Sequence, residues 1–308
     1  MHTVILGGSG LIGSATAARL AALGHRVTVM SRKRPARLSA GAAWREADVA
    51  NATQLREALS ADRAEAVVHL AALLQFACEQ QPAEAVRVNV DGTLNVLETC
   101  RELGVRRLVF ASSLAAYGER KDTMREDDPP AARIGLYGMS KRLGEMLGER
   151  YAALHGLEFV ALRYGGVVGP EEVHSPGMAL VRQRIRESAK GKDVIVEGAC
   201  GDEYVHLTHV ADAAEATCRA LLHARPAHRV YNVAGPEANY MTLKQFHAEV
   251  KKLVPTAGRV VWTGSGRSSG PLDLARLRGD LGFEPTVSVA QSLAADLGLA
   301  RASPPGHT

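Results

Sequence analysis

Residues 136–142 read LYGMSKR, with Tyr137 and Lys141 four apart in what the pattern predicts as a helix start. At that spacing the phenol and the ammonium group lie one above the other on a single helical face. A phenol has an ordinary pKa of about 10, so it works as an acid or base near neutrality only where its anion is stabilised. Tyr–Lys pairs of this kind also decorate ordinary surfaces. The pair therefore takes its meaning from the rest of the chain.

A second stretch, LGGSGLIG at residues 6–13, puts Gly7, Gly10 and Gly13 directly after an apolar strand and across a helix start. Glycine there permits a tight turn, lets the backbone approach a pyrophosphate, and allows close helix–strand packing. The helix N-terminus supplies N–H donors and partial positive charge for the phosphates. This points to a dinucleotide site, with Leu11 and Ile12 in the same turn. The next strand ends VTVMSRKR. An NAD site usually has Asp or Glu at that point to accept from the ribose 2′-hydroxyl. Here Ser31 is followed by Arg32 and Lys33, a hydroxyl and cations suited to a 2′-phosphate. The expected cofactor is NADP(H), with NAD second.

These residues need a scaffold, and the pattern supplies one. Apolar runs at 3–7, 26–30, 66–72, 107–113 and 158–164 alternate with helical stretches at 11–23, 53–60, 83–103 and 137–155. Strands that are apolar throughout suit a parallel sheet covered on both faces. The expected fold class is α/β, a doubly wound parallel sheet of Rossmann type with a smaller C-terminal substrate-binding lobe. Residues 1–164 form the expected nucleotide-binding domain, with 207–235 returning to it; 165–206 and 236–308 form the lobe. Helices are predicted at 181–191, 209–224, 242–253 and 288–298, a strand at 229–235, and a frayed tail at 302–308.

The composition narrows the function classes. The chain of 308 residues is 46% hydrophobic and 23% charged with a net charge of +4, which is ordinary for a globular protein. Its basic residues are scattered and do not interleave with aromatics, so nucleic acid is not an expected partner. Cys78, Cys100, Cys200 and Cys218 lack metal-ligand spacing, so neither a zinc site nor a redox pair is expected. No charged leader and no 18-residue apolar run occurs, so a cytoplasmic protein without a membrane partner is expected.

Taken together, the motifs resemble the NAD-dependent epimerase/dehydratase family of extended short-chain dehydrogenases/reductases. The likeness rests on the glycine spacing at 7–13, ADV at 47–49, HLAA at 69–72, NVDGTLNVLE at 89–98 and FASSLAAYG at 110–118. It continues through YGMSK at 137–141, LRYGGVVGP at 162–170, EYVHLTHVADAAEA at 203–216, VYNVAG at 230–235 and LGFEP at 281–285. The resemblance implies that Ser113, Tyr137 and Lys141 are a catalytic triad. It implies that Asp48 and Val49 flank the adenine, and that Leu70, Ala71 and Ala72 line the cofactor. Asn89 would order the active-site backbone on the cofactor side, and Tyr164 and Val167 would lie near the nicotinamide. Ser112 is the alternative to Ser113, and His69 reads as a packed histidine.

Three positions depart from the sugar-nucleotide pattern: Gly166 in place of Asn, Asp202 in place of Arg, and His209 in place of Asp. Replacing a cation by Asp202 removes an attraction for a diphosphate and adds a repulsion. The expected activity is hydride transfer between nicotinamide and a carbonyl or secondary alcohol of a small substrate. The alternatives are a sugar-nucleotide epimerase with transient cofactor reduction and a non-catalytic NADP(H) sensor. The residues after Ser113 are Leu-Ala-Ala, so the usual dehydratase acid–base pair is missing. The resemblance also implies a homodimer, in which helices 83–103 and 137–155 would bury Val90, Leu94, Leu97, Leu143 and Leu147 against their copies; the alternative is that these faces pack on the sheet of the same subunit.

Overall fold

A computed structural model describes residues 1–169, 176–265 and 268–299. The tail at 302–308 and Pro170, the last residue of the LRYGGVVGP motif, lie outside the described residues. In chain order the first elements are β1 (His2–Leu6), α1 (Leu11–Ala22), β2 (Arg26–Ser31), β3 (Ala42–Glu46), α2 (Ala52–Asp62) and β4 (Ala66–His69). Next come α3 (Gln75–Gln80), α4 (Pro82–Ala85), α5 (Gly92–Leu103), β5 (Arg107–Ser113), α6 (Leu136–His155) and β6 (Glu158–Tyr164). They are followed by β7 (Val167–Val168), α7 (Pro176–Ala189), β8 (Val194–Val196), β9 (Tyr204–His206), β10 (Thr208–His209) and α8 (Val210–Leu222). The last are β11 (Val230–Val233), β12 (Tyr240–Thr242), α9 (Leu243–Leu253), β13 (Val260–Trp262), α10 (Ala275–Gly279) and α11 (Val289–Asp296).

Seven strands form one all-parallel sheet in the order β11-β6-β5-β4-β1-β2-β3. Strand order runs outward in one direction from β1 and in the other from β4. The gap between their C-terminal ends is thus the switch point where such sheets bind ligands. Alternate residues of each strand serve opposite faces. Ile5, Val29, Val68, Val109 and Leu162 pack with α1 and α8 on one side. Val4, Leu6, Val67, Leu108 and Phe110 pack with α2, α5 and α6 on the other. A third core joins Val181 and Ile185 of α7 to Phe246 and Val250 of α9 and Leu293 of α11.

Several expectations are adjusted. Strand 66–72 ends at His69, and residues 70–72 leave the sheet. The edge strand β3, of sequence AAWRE, was not expected, because one face of it is solvated and it has no apolar run. The predicted helix 83–103 runs through a π turn at Val86–Asp91 between α4 and α5, a local feature common at functional sites. Of the residues expected at a helix interface between copies, Leu97 is fully buried in this chain's own core and Leu147 packs against it. Leu94 and Leu143 are exposed. No helix among the described residues is long and apolar enough to cross a membrane.

Candidate active site

A cleft of about 910 Å³ opens at the switch point and runs from the end of β2 to the ends of β5 and β6. Its floor depends on glycine. Gly7 has φ of +76°, and a Cβ there would lie 2.6 Å from the Ala71 backbone nitrogen. A Cβ on Gly13 would lie 2.5 Å from the Gly8 Cα. Both values are below any normal contact, so the turn closes only without side chains. The resulting cradle, at the start of a 12-residue helix, fits a dinucleotide pyrophosphate.

Toward one end the cleft is lined by Gly10, Leu11, Ile12, Ser31, Arg32, Lys33, Asp48 and Val49. Ser31 Oγ is committed within the protein: it donates to the Lys33 carbonyl at 2.8 Å and accepts from Trp44 Nε1 at 3.0 Å. Arg32 and Lys33 are exposed. The Asp48–Val49 backbone is held by Gln54 Oε1, which accepts from Asp48 N at 2.9 Å, and by Asn95, which donates to Val49 O at 2.9 Å.

At the opposite end Leu70, Ala71 and Ala72 face Ser113, Tyr137, Lys141, Tyr164 and Val167 across the cleft. Ser113 caps a short 3₁₀ turn, its Oγ accepting from Ala115 N at 3.2 Å, and its side chain lines the cleft with the Tyr137 phenol, whose pKa it lowers. The close fit of α6 to this turn again rests on glycine. A Cβ on Gly138 would sit 2.2 Å from the Ala115 carbonyl oxygen. Lys141 Nζ donates to the Ala111 carbonyl at 2.7 Å and stands 5.6 Å from the centre of the Tyr137 ring.

Burial pushes the Tyr137 phenol up to about 12, with the nearby Ser113 side chain opposing. Burial brings the Lys141 ammonium down to about 8, opposed by Cys78 and Glu145. The protein's own groups therefore do not by themselves bring the phenol toward neutrality, where it could work as a base. In these surroundings desolvation outweighs them.

Asn89 is the one expected cofactor contact that does not line the cleft. It is buried in the π turn, where its Oδ1 accepts from Leu73 N at 2.7 Å and its Nδ2 donates to Leu73 O at 3.0 Å. It also donates to Ser140 Oγ at 3.2 Å, so it braces the loop after β4 against α6. Ser112 donates to Glu145 at 2.5 Å and is thus engaged away from Tyr137. His69 is buried, bonded through Nε2 to Thr93 at 3.1 Å, and held neutral with a pKa of about 3 by burial and Lys141. Tyr117 is buried and donates to Asn232 at 2.7 Å. Tyr164 bonds Thr217 through its hydroxyl at 2.7 Å, so only the rest of that residue faces the cleft.

Leu73, Leu74 and Ala77 also line the cleft and were missed. Their signal was the apolar run continuing past residue 72 into a helix too short to show periodicity. Of the divergent positions, Asp202 is exposed and paired with Lys244 at 2.7 Å. His209 caps α8, accepting from Ala211 N at 3.2 Å. A Cβ on Gly166 would come 2.5 Å from the His206 carbonyl oxygen, so this position is closed to an asparagine unless β9 moves.

Comparison with known proteins agrees with this architecture. Residues 3–234 match the family model described as the NAD dependent epimerase/dehydratase family. A UDP-glucose 4-epimerase of Streptomyces lividans is 33% identical over 227 residues, covering 68% of this chain and 69% of that one. The crystal structure of a UDP-glucose 4-epimerase of Thermus thermophilus in complex with NAD is 27% identical, with a TM-score of 0.85. That match covers 97% of this chain and 100% of the other. An L-threonine dehydrogenase of Cupriavidus necator shares the fold, at a TM-score of 0.87 and 24% identity over 97% of this chain and 99% of that one. A glycine-floored cleft at the switch point of a parallel sheet and a match across three-quarters of the sequence lead to one assignment. The chain belongs to the NAD-dependent epimerase/dehydratase family, as an enzyme of the extended short-chain dehydrogenase/reductase type with a nicotinamide cofactor.

Proposed function

We propose that this enzyme transfers hydride between a nicotinamide and a carbonyl or secondary alcohol, with Ser113, Tyr137 and Lys141 as its catalytic residues. The observation carrying the reading is their convergence at one end of the glycine-floored cleft. The bound cofactor supplies or accepts the hydride and, when oxidised, brings a positive charge to that end. Tyr137 gives a proton to the substrate oxygen in reduction and takes it back in oxidation. Ser113 hydrogen-bonds the same oxygen. Lys141 contributes the ammonium charge that favours the phenolate. Asn89 fixes the loop opposite them.

Two substrate classes are carried forward. Asp202 and Gly166 favour a small substrate without a nucleotide, whereas the curated relatives act on UDP-sugars, which favours epimerisation with transient cofactor reduction. Incubation with UDP-glucose, assayed for UDP-galactose, separates the two from a panel of ketones assayed for oxidation of NAD(P)H. Product in the first assay rejects the small-substrate reading.

Cofactor choice is proposed to be NADP(H), from the lack of a carboxylate at the end of β2 and the exposed Arg32 and Lys33. The competing preference for NAD is favoured by solved neighbours such as the Thermus thermophilus complex. Arg32→Ala is expected to weaken NADPH binding by about 1.5–3 kcal/mol, the scale of a charge-assisted hydrogen bond, with little change for NADH. Equal losses measured by calorimetry, or tighter NADH binding by the wild type, would assign NAD instead.

A homodimer is proposed from the stripe Met139, Leu143 and Met146 on α6, with Leu94 on α5, all exposed. Residues at such spacing share a helical face, and an apolar face of this kind suits a second copy. Light scattering at micromolar concentration is expected to give twice the chain mass, and Leu143→Asp to give the single mass. A wild-type monomer would reject the proposal.

A further inference from the structure

Beneath the cleft lies a buried ion pair with no part in the chemistry above. Glu145 and Arg163 are 1% and 0% exposed, and the guanidinium grips the carboxylate at two points, 2.8 Å from Nε and 2.7 Å from Nη2. Ser112 Oγ donates to the same carboxylate at 2.5 Å and Arg142 at 2.9 Å. Arg163 also donates to the Glu126 carbonyl at 3.0 Å and lies 4.4 Å over the Tyr117 ring. Burying two charges costs about as much as their attraction returns, so stability alone is a poor reason for the pair.

The positions suggest another reason. Ser112 precedes Ser113 on β5 and Arg163 precedes Tyr164 on β6, and the sheet register sets Ser112 beside Arg163 and Ser113 beside Tyr164. Glu145 follows Lys141 by four residues and Tyr137 by eight, on the same helical face. Helix α6 rests on β5 and β6 through glycines: a Cβ on Gly144 or Gly148 would lie 2.5 or 2.1 Å from the Phe110 or Phe159 ring. Glycine on an aromatic ring sets the distance between elements but leaves sliding and rotation weakly defined. A two-point guanidinium–carboxylate contact is directional and defines both.

We propose that the Ser112–Glu145–Arg163 cluster fixes the register of α6 on β5 and β6 and so holds Tyr137 and Lys141 in place against Ser113. Glu145 is then a positioning residue, and this rests on the reading of Ser113, Tyr137 and Lys141 given above. Its charge adds a second effect, because it favours the Lys141 ammonium against burial. The other groups facing Lys141 are the Cys78 thiol from α3, the neutral His69 ring from β4, the Ala111 carbonyl from β5, and Tyr137 on α6 itself.

The test removes both charges together, in Glu145→Gln with Arg163→Met, so that neither is left unpaired. Ser112→Ala, which deletes a single hydroxyl, serves as the milder second variant. The phenol of Tyr137 is titrated by phenolate difference absorbance in the NADP⁺ complex, with Tyr137→Phe as the blank. Melting temperature and NADP⁺ affinity are measured beside it. A positioning role raises the phenol titration by roughly one pH unit in the double variant and by less in Ser112→Ala, at nearly unchanged NADP⁺ affinity. A purely structural role moves the melting temperature and leaves the phenol where it was, which overturns the proposal. Should the double variant fail to fold, Ser112→Ala decides on the same readings. If Tyr137→Phe keeps full turnover, the triad reading itself has failed. If it is inactive while the phenol titration ignores both variants, only the cluster's role has failed.

Discussion

Tyr137→Phe is expected to lower turnover by at least ~10²-fold while leaving cofactor affinity close to wild type, the usual scale for a lost general acid. The phenol oxygen is a small part of the surface that a dinucleotide would cover in a cleft of about 910 Å³. The substituted ring keeps its place, because the helix start is held by the contact of Gly138 with the Ala115 carbonyl and not by the hydroxyl. The pH profile adds a sharper test. With the phenol pushed up to about 12 by burial, proton uptake by Tyr137 near neutrality needs a positive charge beside it. Oxidation should therefore rise with pH at an apparent pKa well below 12 in the presence of oxidised cofactor, and Tyr137→Phe should lose that limb. A Tyr137→Phe enzyme with normal turnover would remove the phenol from the mechanism. His69 and Tyr117 would not replace it easily: one is neutral and buried, the other is bonded to Asn232. The non-catalytic sensor would then be the better reading.

Lys141→Met is expected to separate stability from function. The ammonium is buried, with a pKa of about 8 against an ordinary 10.5. That gap corresponds to about 3 kcal/mol of destabilisation at pH 7, where folded and unfolded chains both carry the charge. Between the two pKa values the unfolded chain keeps its proton while the folded chain has lost it, so wild-type stability rises with pH across that window. The lost hydrogen bond to Ala111 offsets about 1 kcal/mol of the gain in the variant. Lys141→Met should thus melt a few degrees higher than wild type at pH 7, with the difference shrinking toward pH 10.5. Turnover should fall at least as far as in Tyr137→Phe. Calorimetric scans across that range check the first claim, and a lower melting temperature at pH 7 would show that the ammonium is stabilising in its place.

Much of this protein was legible in its sequence because local physics marked it. The apolar runs marked strands covered on both faces, although the one at 66–72 leaves the sheet after His69. The glycines at 7 and 13, after the first of these runs, marked a tight turn with no room for side chains. The spacing of Tyr137 and Lys141 put both on one helical face before any fold was known. What the sequence could not carry depended on partners distant along the chain. The edge strand β3 forms because β2 offers it a ladder, and its own residues show no apolar run. The role of Asn89 was blurred because its two backbone contacts lie at Leu73, on a loop with no periodic signal. The opposed shifts of Tyr137 and Lys141 are also tertiary. They follow from how deeply α6 sinks onto β5, a depth set by Gly138 and Gly144 meeting Ala115 and Phe110. Helical spacing can say that two side chains share a face, but only the packed neighbours decide how much water that face keeps, and with it the energies of the charges it bears.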